Sequence, residues 1–281
     1  AGVEAVEVGY ISDQDVKPPA ARCEADLLQE LHEHINGVGK LVVMLSLTEA
    51  DPAGLLASRA NQIDLLRLPC TFEQLPIALQ VAEQARKLDI ACSLNLVNIS
   101  TLEREDFLYI AREVHSSGLI DIFYLADSRG ACRPDDVFRM VSIIREVWEG
   151  RFGFHAHDNT GLAAANSLRA LDAGCQLIDA TVNGLGLGSG NTDLSHALDI
   201  VKKRCPDKQY NIKALDTVST LQVPIPKGKK NIYQLVGEKN FAQLWVDPLI
   251  ERYGDDTEQL LQGIPRRPYT DIQQIFDEIE A

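Results

Sequence analysis

Phe152–Gly161 reads FGFHAHDNTG, and it places two of the chain's six histidines, His155 and His157, one residue apart with Asp158 behind them. What they can do depends on the backbone that carries them. On a strand, residues i and i+2 face the same way, with Cα atoms roughly 6.5 Å apart. On a helix the same pair diverges by roughly 200° around the axis. Phe152, Phe154 and Ala156 form one apolar face, and Gly153, His155 and His157 form the other, which is the alternation of a strand. After Asp158 the period changes. Leu162, Ala165, Asn166, Leu168, Ala170 and Leu171 suit a packed helix that Gly174 ends. The two imidazoles therefore sit side by side at the carboxyl end of a strand, before a strand-to-helix loop, where metal ligands converge. His32 and His34 in ADLLQELHEHI are the internal control: that segment is helical by period, so its histidines point apart into solvent.

Moving outward, the 281-residue chain is 45% hydrophobic and 24% charged, enough for one large core or two small ones. Its net charge of −14 and pI near 4.8 repel nucleic acid and anionic membranes, and no basic stripe overrides that average. No segment approaches the ~18 consecutive apolar residues of a membrane span, and no signal-peptide pattern stands at the start. Cys23, Cys70, Cys92, Cys132, Cys175 and Cys205 are scattered, with none at zinc-ribbon spacing. They read as reduced core residues of a cytoplasmic protein.

One rhythm repeats along the chain. Apolar runs at Ala5–Tyr10, Lys40–Leu47, Ile63–Leu68, Ile90–Leu96, Asp121–Ala126, Phe152–His157 and Leu177–Val182 alternate with helical patterns such as FEQLPIALQVAEQARKL, at intervals of roughly 23 to 35 residues. That is the signature of βα units on a parallel sheet. No GxGxxG opens any unit, which argues against a dinucleotide fold. Glu7, Arg67, Asn95, Asp127, His155 and Asn183 stand at or near strand carboxyl ends, where eight-fold barrels build their active sites. The expected fold is an α/β (β/α)8 barrel. Seven strands are one short, and AGV runs straight into the first of them, so the expectation includes a first βα unit upstream of Ala1. Residues 1–204 then form the barrel domain. Residues 205–281 form a proline-containing connector and a small helical appendage.

HAHDNTGLAAANSLRALDAG (His155–Gly174), followed by IDATVNGLGLGSGNTDL (Ile178–Leu194), resembles the strand-7 and strand-8 signatures of the HMG-CoA lyase-like barrel family. This is the pyruvate carboxyltransferase type, which includes 4-hydroxy-2-oxovalerate aldolase and isopropylmalate synthase. VEAVEVGY (Val3–Tyr10) resembles its second strand, and YLADSRGACRPDD (Tyr124–Asp136) the turn after its sixth. The similarity spans most of Ala1 to Arg204, and the aldolase branch is the most similar. The HxH with a downstream GxGN is the specific part.

The resemblance implies a divalent ion, Mn²⁺ or Mg²⁺, with His155, His157 and Asn191 as the matching ligands. The Arg-Asp pair that the family carries on its first strand has no counterpart in residues 1–281. The two imidazoles and an amide supply no negative charge, a poor set for hard, oxygen-preferring ions. The implied substrate is a small 2-oxo acid. A C–C bond next to its carbonyl is cleaved or formed with the ion as Lewis acid. Ser128 is placed to hydrogen-bond the substrate carboxylate, Arg67 to pair with it in bidentate fashion, and Asn95 belongs to the substrate-binding set. Glu7 and Asp127 complete the candidate catalytic residues. A homo-oligomer and a partner dehydrogenase are expected on the same grounds.

Each residue also has a plainer reading. Asn191 either ligates or caps the helix opened by NTDLSHAL. GLGLGSGN is either a phosphate-cradling nest or a backbone-permissive loop. Asp127 either takes part in the reaction or fixes the loop around Ser128, and Arg67 either meets substrate or pairs with Glu7. His115 and His196 lie in helical patterns and are taken as non-catalytic. Beside the aldolase stand a Claisen-type synthase joining an acyl-CoA to a 2-oxo acid, and a catalytically inactive barrel used for binding or assembly. The loop GLGLGSGN resembles that of the aldolases more than the GER-x-GN loop of the synthases.

Overall fold

The structure, a computed structural model, describes residues 1–12, 22–35, 37–218, 220 and 229–281. Strands and helices alternate as the sequence rhythm predicts. β1 (Ala5–Ile11), α1 (Ala25–Ile35), β2 (Lys40–Leu45), α2 (Pro52–Ala57), β3 (Leu65–Cys70), α3 (Leu75–Lys87), β4 (Ala91–Leu96) and α4 (Arg104–Ser117) come first. β5 (Ile122–Asp127), α5 (Pro134–Arg145), β6 (Arg151–Ala156), α6 (Ala163–Asp172), β7 (Leu177–Ile178) and α7 (Leu194–Arg204) follow. The strands form one seven-stranded sheet in the sequential order β1 to β7, with parallel pairing from β1 to β4 and between β6 and β7. Sequential parallel order follows from the helical crossovers, since a parallel neighbour cannot be reached by a tight turn.

Chain contacts divide the molecule into two compact units. The first holds Ala1–Val97, Glu105–Tyr124 and Ile144–Phe152. Its inner strands turn Leu41, Val43, Leu66, Leu68, Cys92 and Leu94, each at most 1% exposed, to one face, and the buried Val42, Arg67 and Ser93 to the other. A parallel sheet is ordinarily covered on both faces, and here one face is apolar while the other also carries buried polar side chains. α3 supplies Ala78, Val81, Ala82 and Ala85 to this core at helical spacing. Phe123, Trp148 and Phe152 form an aromatic group, with ring centroids 5.5 Å and 6.1 Å from Phe123. α1 is helical as its period predicts. His34 is exposed, with Nδ1 2.7 Å from the Glu30 carbonyl. His32 is half-buried rather than solvated.

The second unit holds Asn98–Arg104, Leu125–Ile143 and Gly153–Ala281. Here the last strand differs from expectation: β7 is only Leu177–Ile178, not Leu177–Val182. The chain from Asn191 to Asp193 takes the hydrogen bonds that a longer strand needs. Thr192 donates to Ala156 at 3.2 Å, Thr181 donates to Thr192 at 3.0 Å, and Leu194 donates to Thr181 at 2.9 Å. Beyond these, Asn183 turns into the left-handed region at φ 55°, which no strand sustains.

The C-terminal stretch forms α8 (Lys229–Lys239), α9 (Val246–Tyr253), α10 (Thr257–Gly263) and α11 (Ile272–Glu280). Within this expected helical appendage α8 stops where Asn240 adopts φ 65°, a left-handed C-terminal residue. These helices share an apolar core that includes Val236, Phe241, Leu249, Leu261, Tyr269 and Ile275. The connector reading over residues 221–228 lies outside the described residues. Five cysteines are buried free thiols, while Cys205 is exposed, against its reading as core. Among the described residues no helix is long and apolar enough to cross a membrane.

Capping of α7 falls to Asp193, not Asn191. Its carboxylate accepts from the Ser195 N–H at 2.9 Å and the His196 N–H at 3.3 Å. Asp193→Ala is therefore expected to destabilise the protein by about 1 kcal/mol in urea denaturation, with Asn191→Ala leaving the helix cap intact.

Candidate metal centre and the loop beside it

The pleat of β6 sorts its side chains as the sequence requires. Phe152 and Phe154 are fully buried, while His155 and His157 share the other face and are only partly buried. Their ring centroids lie 5.2 Å apart. With metal–nitrogen bonds of ~2.1 Å, two imidazoles on one ion stand at about this separation.

The β6/β7 register pairs Phe154 with Ile178, so the next pair is His155 and Asp179. The His155 Nδ1–H donates to Asp179 Oδ2 at 3.1 Å. This fixes the tautomer and leaves Nε2 as the nitrogen for an ion, the carboxylate–histidine arrangement that raises ligand basicity. Asp179 was missed in the sequence, although its place at the end of the strand after the HxH strand was a usable signal. His157 Nδ1 lies 3.4 Å from the Leu187 carbonyl. Burial, and next the neighbouring His155, hold the His157 pKa down to about 3, so the ring is a neutral donor at physiological pH.

Asn191 pairs with His157 as an isolated antiparallel bridge. Its Nδ2 donates to Leu185 O at 3.2 Å, whereas its Oδ1 is buried without a hydrogen-bond partner. A buried acceptor left unsatisfied is costly, and an ion or its water would complete it. The loop before it is the permissive kind, with Gly184, Gly188 and Gly190 at positive φ. At Gly188 an added Cβ would also collide with the Gln243 and Asn159 side chains. Asn191 further lines a polar pocket of about 310 Å³ with Asp158, Asn183, Ser189, Asp193 and His196.

Among the described residues no three of His, Cys, Asp and Glu gather as a ligand set. The two imidazoles stand together on one face of β6, Asp179 holds the His155 ring, and the Asn191 backbone bridges that of His157 while its amide oxygen is unpaired. Two neutral imidazole nitrogens are donors suited to a divalent ion.

The loop after β5 is held from within. Asp127 is fully buried, and its carboxylate accepts from the Ala131 N–H at 3.0 Å and the Cys132 N–H at 3.1 Å. Burial raises its pKa and these bonds oppose the rise. The Asp127 carbonyl accepts from the Gly130 N–H at 3.0 Å and the His157 N–H at 3.4 Å, tying this loop to the end of β6. Ser128 Oγ accepts from the Asn98 N–H at 3.2 Å, and its contact with the Ala126 carbonyl is a long 3.4 Å. Its proton is thus easily redirected.

In the first unit Arg67, 8% exposed, pairs with Glu7 at 2.9 Å and lies over the Tyr124 ring at 4.6 Å. With the Asn95 amide oxygen turned toward Arg67, it accepts from Nε at 3.1 Å. Glu7, Arg67 and Asn95 are thus one group, brought together at β1, β3 and β4. Asp127, Ser128, His155, His157 and Asn191 are brought together in the second unit.

A sequential parallel α/β sheet with an imidazole pair at one strand's carboxyl end defines the class of protein. The particular family follows from comparison: residues 68–221, more than half of the chain, match the HMGL-like family, and the chain belongs to it. It is 25% identical over 211 residues to a Mycobacterium tuberculosis protein named oxaloacetate decarboxylase, covering 73% of this chain and 61% of that one. It is 37% identical over 130 residues to a Geobacillus genomosp. 3 protein named 4-hydroxy-2-oxovalerate aldolase, covering 46% and 38% respectively. The chain thus spans less than two thirds of the length of either relative. Its fold is similar to the N-terminal domain of a Bacteroides vulgatus protein, with TM-score 0.76, 21% identity, and coverage of 88% of this chain and 85% of that one.

The depressed His157 pKa has a consequence for stability. Between about 6.5, the ordinary value, and about 3, the unfolded imidazole binds a proton that the folded one does not. In metal-free buffer, stability is therefore expected to fall as pH is lowered through that window. Urea midpoints measured across it should decline less steeply for His157→Gln than for the unaltered protein.

Proposed function

We propose that this protein is a divalent-metal-dependent lyase of the aldolase kind, breaking or forming the C–C bond next to the carbonyl of a 2-oxo acid. The observation that carries the reading is the His155/His157 pair with Asp179 on one ring, and Asn191, whose Oδ1 is unsatisfied, bridging the His157 backbone. In finer detail, the sheet is read as seven successive units of a (β/α)8 barrel, supported by its sequential parallel order.

The names of the two relatives support one shared chemistry. Retro-aldol cleavage of 4-hydroxy-2-oxovalerate breaks the C3–C4 bond, releases the hydroxyl proton and leaves acetaldehyde. Decarboxylation of oxaloacetate breaks the corresponding bond and leaves CO₂. In both, the electron pair stays on C3 of what becomes pyruvate and is finally protonated there. When bound, the ion supplies Lewis-acid stabilisation of the charge that this cleavage delivers to the 2-oxo oxygen. His155, His157 and Asn191 hold it, and Asp179 keeps His155 in the tautomer that can. Ser128 Oγ, with its weakly engaged proton, binds the substrate carboxylate.

With Mn²⁺ present, pyruvate release from 4-hydroxy-2-oxovalerate or oxaloacetate, coupled to lactate dehydrogenase, is the direct assay, and chelation should abolish it. His155→Ala, His157→Ala and Asp179→Asn are each expected to weaken Mn²⁺ binding by about tenfold or more and to lower turnover with it. His34→Ala should match the unaltered protein. Ser128→Ala should raise KM more than it lowers kcat, because a carboxylate contact is made about equally before and during bond cleavage. Turnover that survives exhaustive chelation overturns the proposal.

A further inference from the structure

The loop that carries Ser128 is gripped at five successive carbonyls by side chains from elsewhere in its unit. Ser128 O accepts from Gln243 Nε2, Arg129 O from Asn159 Nδ2, Gly130 O from Thr160 Oγ1, Ala131 O from Arg266, and Cys132 O from Asn166 Nδ2. Loop carbonyls ordinarily face water or backbone partners, so a run of five held by side chains fixes this loop to an unusual degree.

Two of the five donors, Gln243 and Arg266, belong to the C-terminal helical segment. The attachment does not stop there. Arg129, 4% exposed, sends a guanidinium N–H to the Asn240 carbonyl at 2.6 Å. Asn240 and Ser100 exchange hydrogen bonds, 2.7 Å from Ser100 Oγ to Asn240 Oδ1 and 3.0 Å from Asn240 Nδ2 to Ser100 O. A Cβ added at Gly237 would lie 2.6 Å from the Gly130 carbonyl oxygen, so α8 lies directly against the loop backbone.

Gln243 is the member that bears on the site most closely, because its bond is to the residue whose hydroxyl the proposed chemistry uses. It is 6% exposed, and its Oε1 is buried without a hydrogen-bond partner beside Gly188. One side chain thus touches both the Ser128 turn and the glycine loop that leads to Asn191.

We propose that Gln243 is a positioning residue of the active site, and that the C-terminal helices serve as the support holding Ser128 and the Gly188 loop in register for a substrate carboxylate. The proposal rests on the 2-oxo acid reading above. Gln243 touches no substrate and acts through the Ser128 peptide group.

The test compares Gln243→Met, of similar length without the donor, and Gln243→Glu, isosteric but an acceptor, with Arg252→Met. The last is a control that loosens the same helices away from the loop, by removing the Arg252–Glu280 ion pair and the guanidinium 4.1 Å over Phe276. Four quantities are read: pyruvate affinity by calorimetry and hydrogen exchange of the Gly130, Ala131 and Cys132 amides on each Mn²⁺-loaded protein, Mn²⁺ affinity by titration of the metal-free protein, and Tm. In whichever Gln243 variant folds, pyruvate affinity should fall about tenfold, as for loss of one hydrogen-bonded support. Loop amide exchange should rise at least tenfold while Mn²⁺ affinity holds. Arg252→Met should lower Tm with neither effect.

Pyruvate binding and loop exchange unchanged in the Gln243 variants, or changed equally in Arg252→Met, overturn the positioning role. Failure of both Gln243 variants to fold also overturns it, since the side chain would then be structural. An unaltered protein that binds no pyruvate refutes the 2-oxo acid reading instead, and the exchange data then report the loop support alone.

Discussion

A β-strand has two faces, and the order of residues along β6 commits one to hydrocarbon and the other to imidazole. Phe152 and Phe154 are fully buried, so the strand cannot slip by one residue without exposing both rings and burying both histidines. That constraint sets the direction of His155 and His157. The parallel register with β7 then brings Asp179 to His155, and the antiparallel return brings the Asn191 backbone to that of His157. Each later feature of the site depends on the pleat of this one strand.

Much of this was legible in the sequence because it rests on local periodicity. The strand order, the HxH face, the helix carrying His32 and His34, and the pairing of Arg67 with Glu7 as one of two readings all follow from spacing and charge. The length of β7 was not legible. Its apolar run through Val182 is ordinary strand sequence, and only the three-dimensional return of Asn191–Asp193 shows that the hydrogen bonds go elsewhere. Asn191 and Asp193 were equally good caps by residue type, and geometry chose Asp193. Gln243 and Arg266 were invisible for a simpler reason: they act more than 100 residues away from Ser128 and Ala131, and no short-range pattern encodes such a contact.

The proposed ion site has a weakly charged donor set for a hard cation. Neutral imidazoles and an amide bind poorly alone; in the proposed reading Asp179 would lend its charge through the His155 ring, and substrate oxygens would complete the shell. Binding of ion and substrate would then be coupled, with Ser128, anchored by Asp127 on one side and Gln243 on the other, facing the carboxylate.

The central claim is that His155 and His157 hold one divalent ion. Anomalous diffraction at the manganese edge, from crystals of the protein grown with Mn²⁺ and pyruvate, locates that ion directly. The account predicts a single strong peak within ~2.0–2.3 Å of a ring nitrogen of both histidines. Manganese bound at any other place, with the His155–His157 face empty, would contradict it.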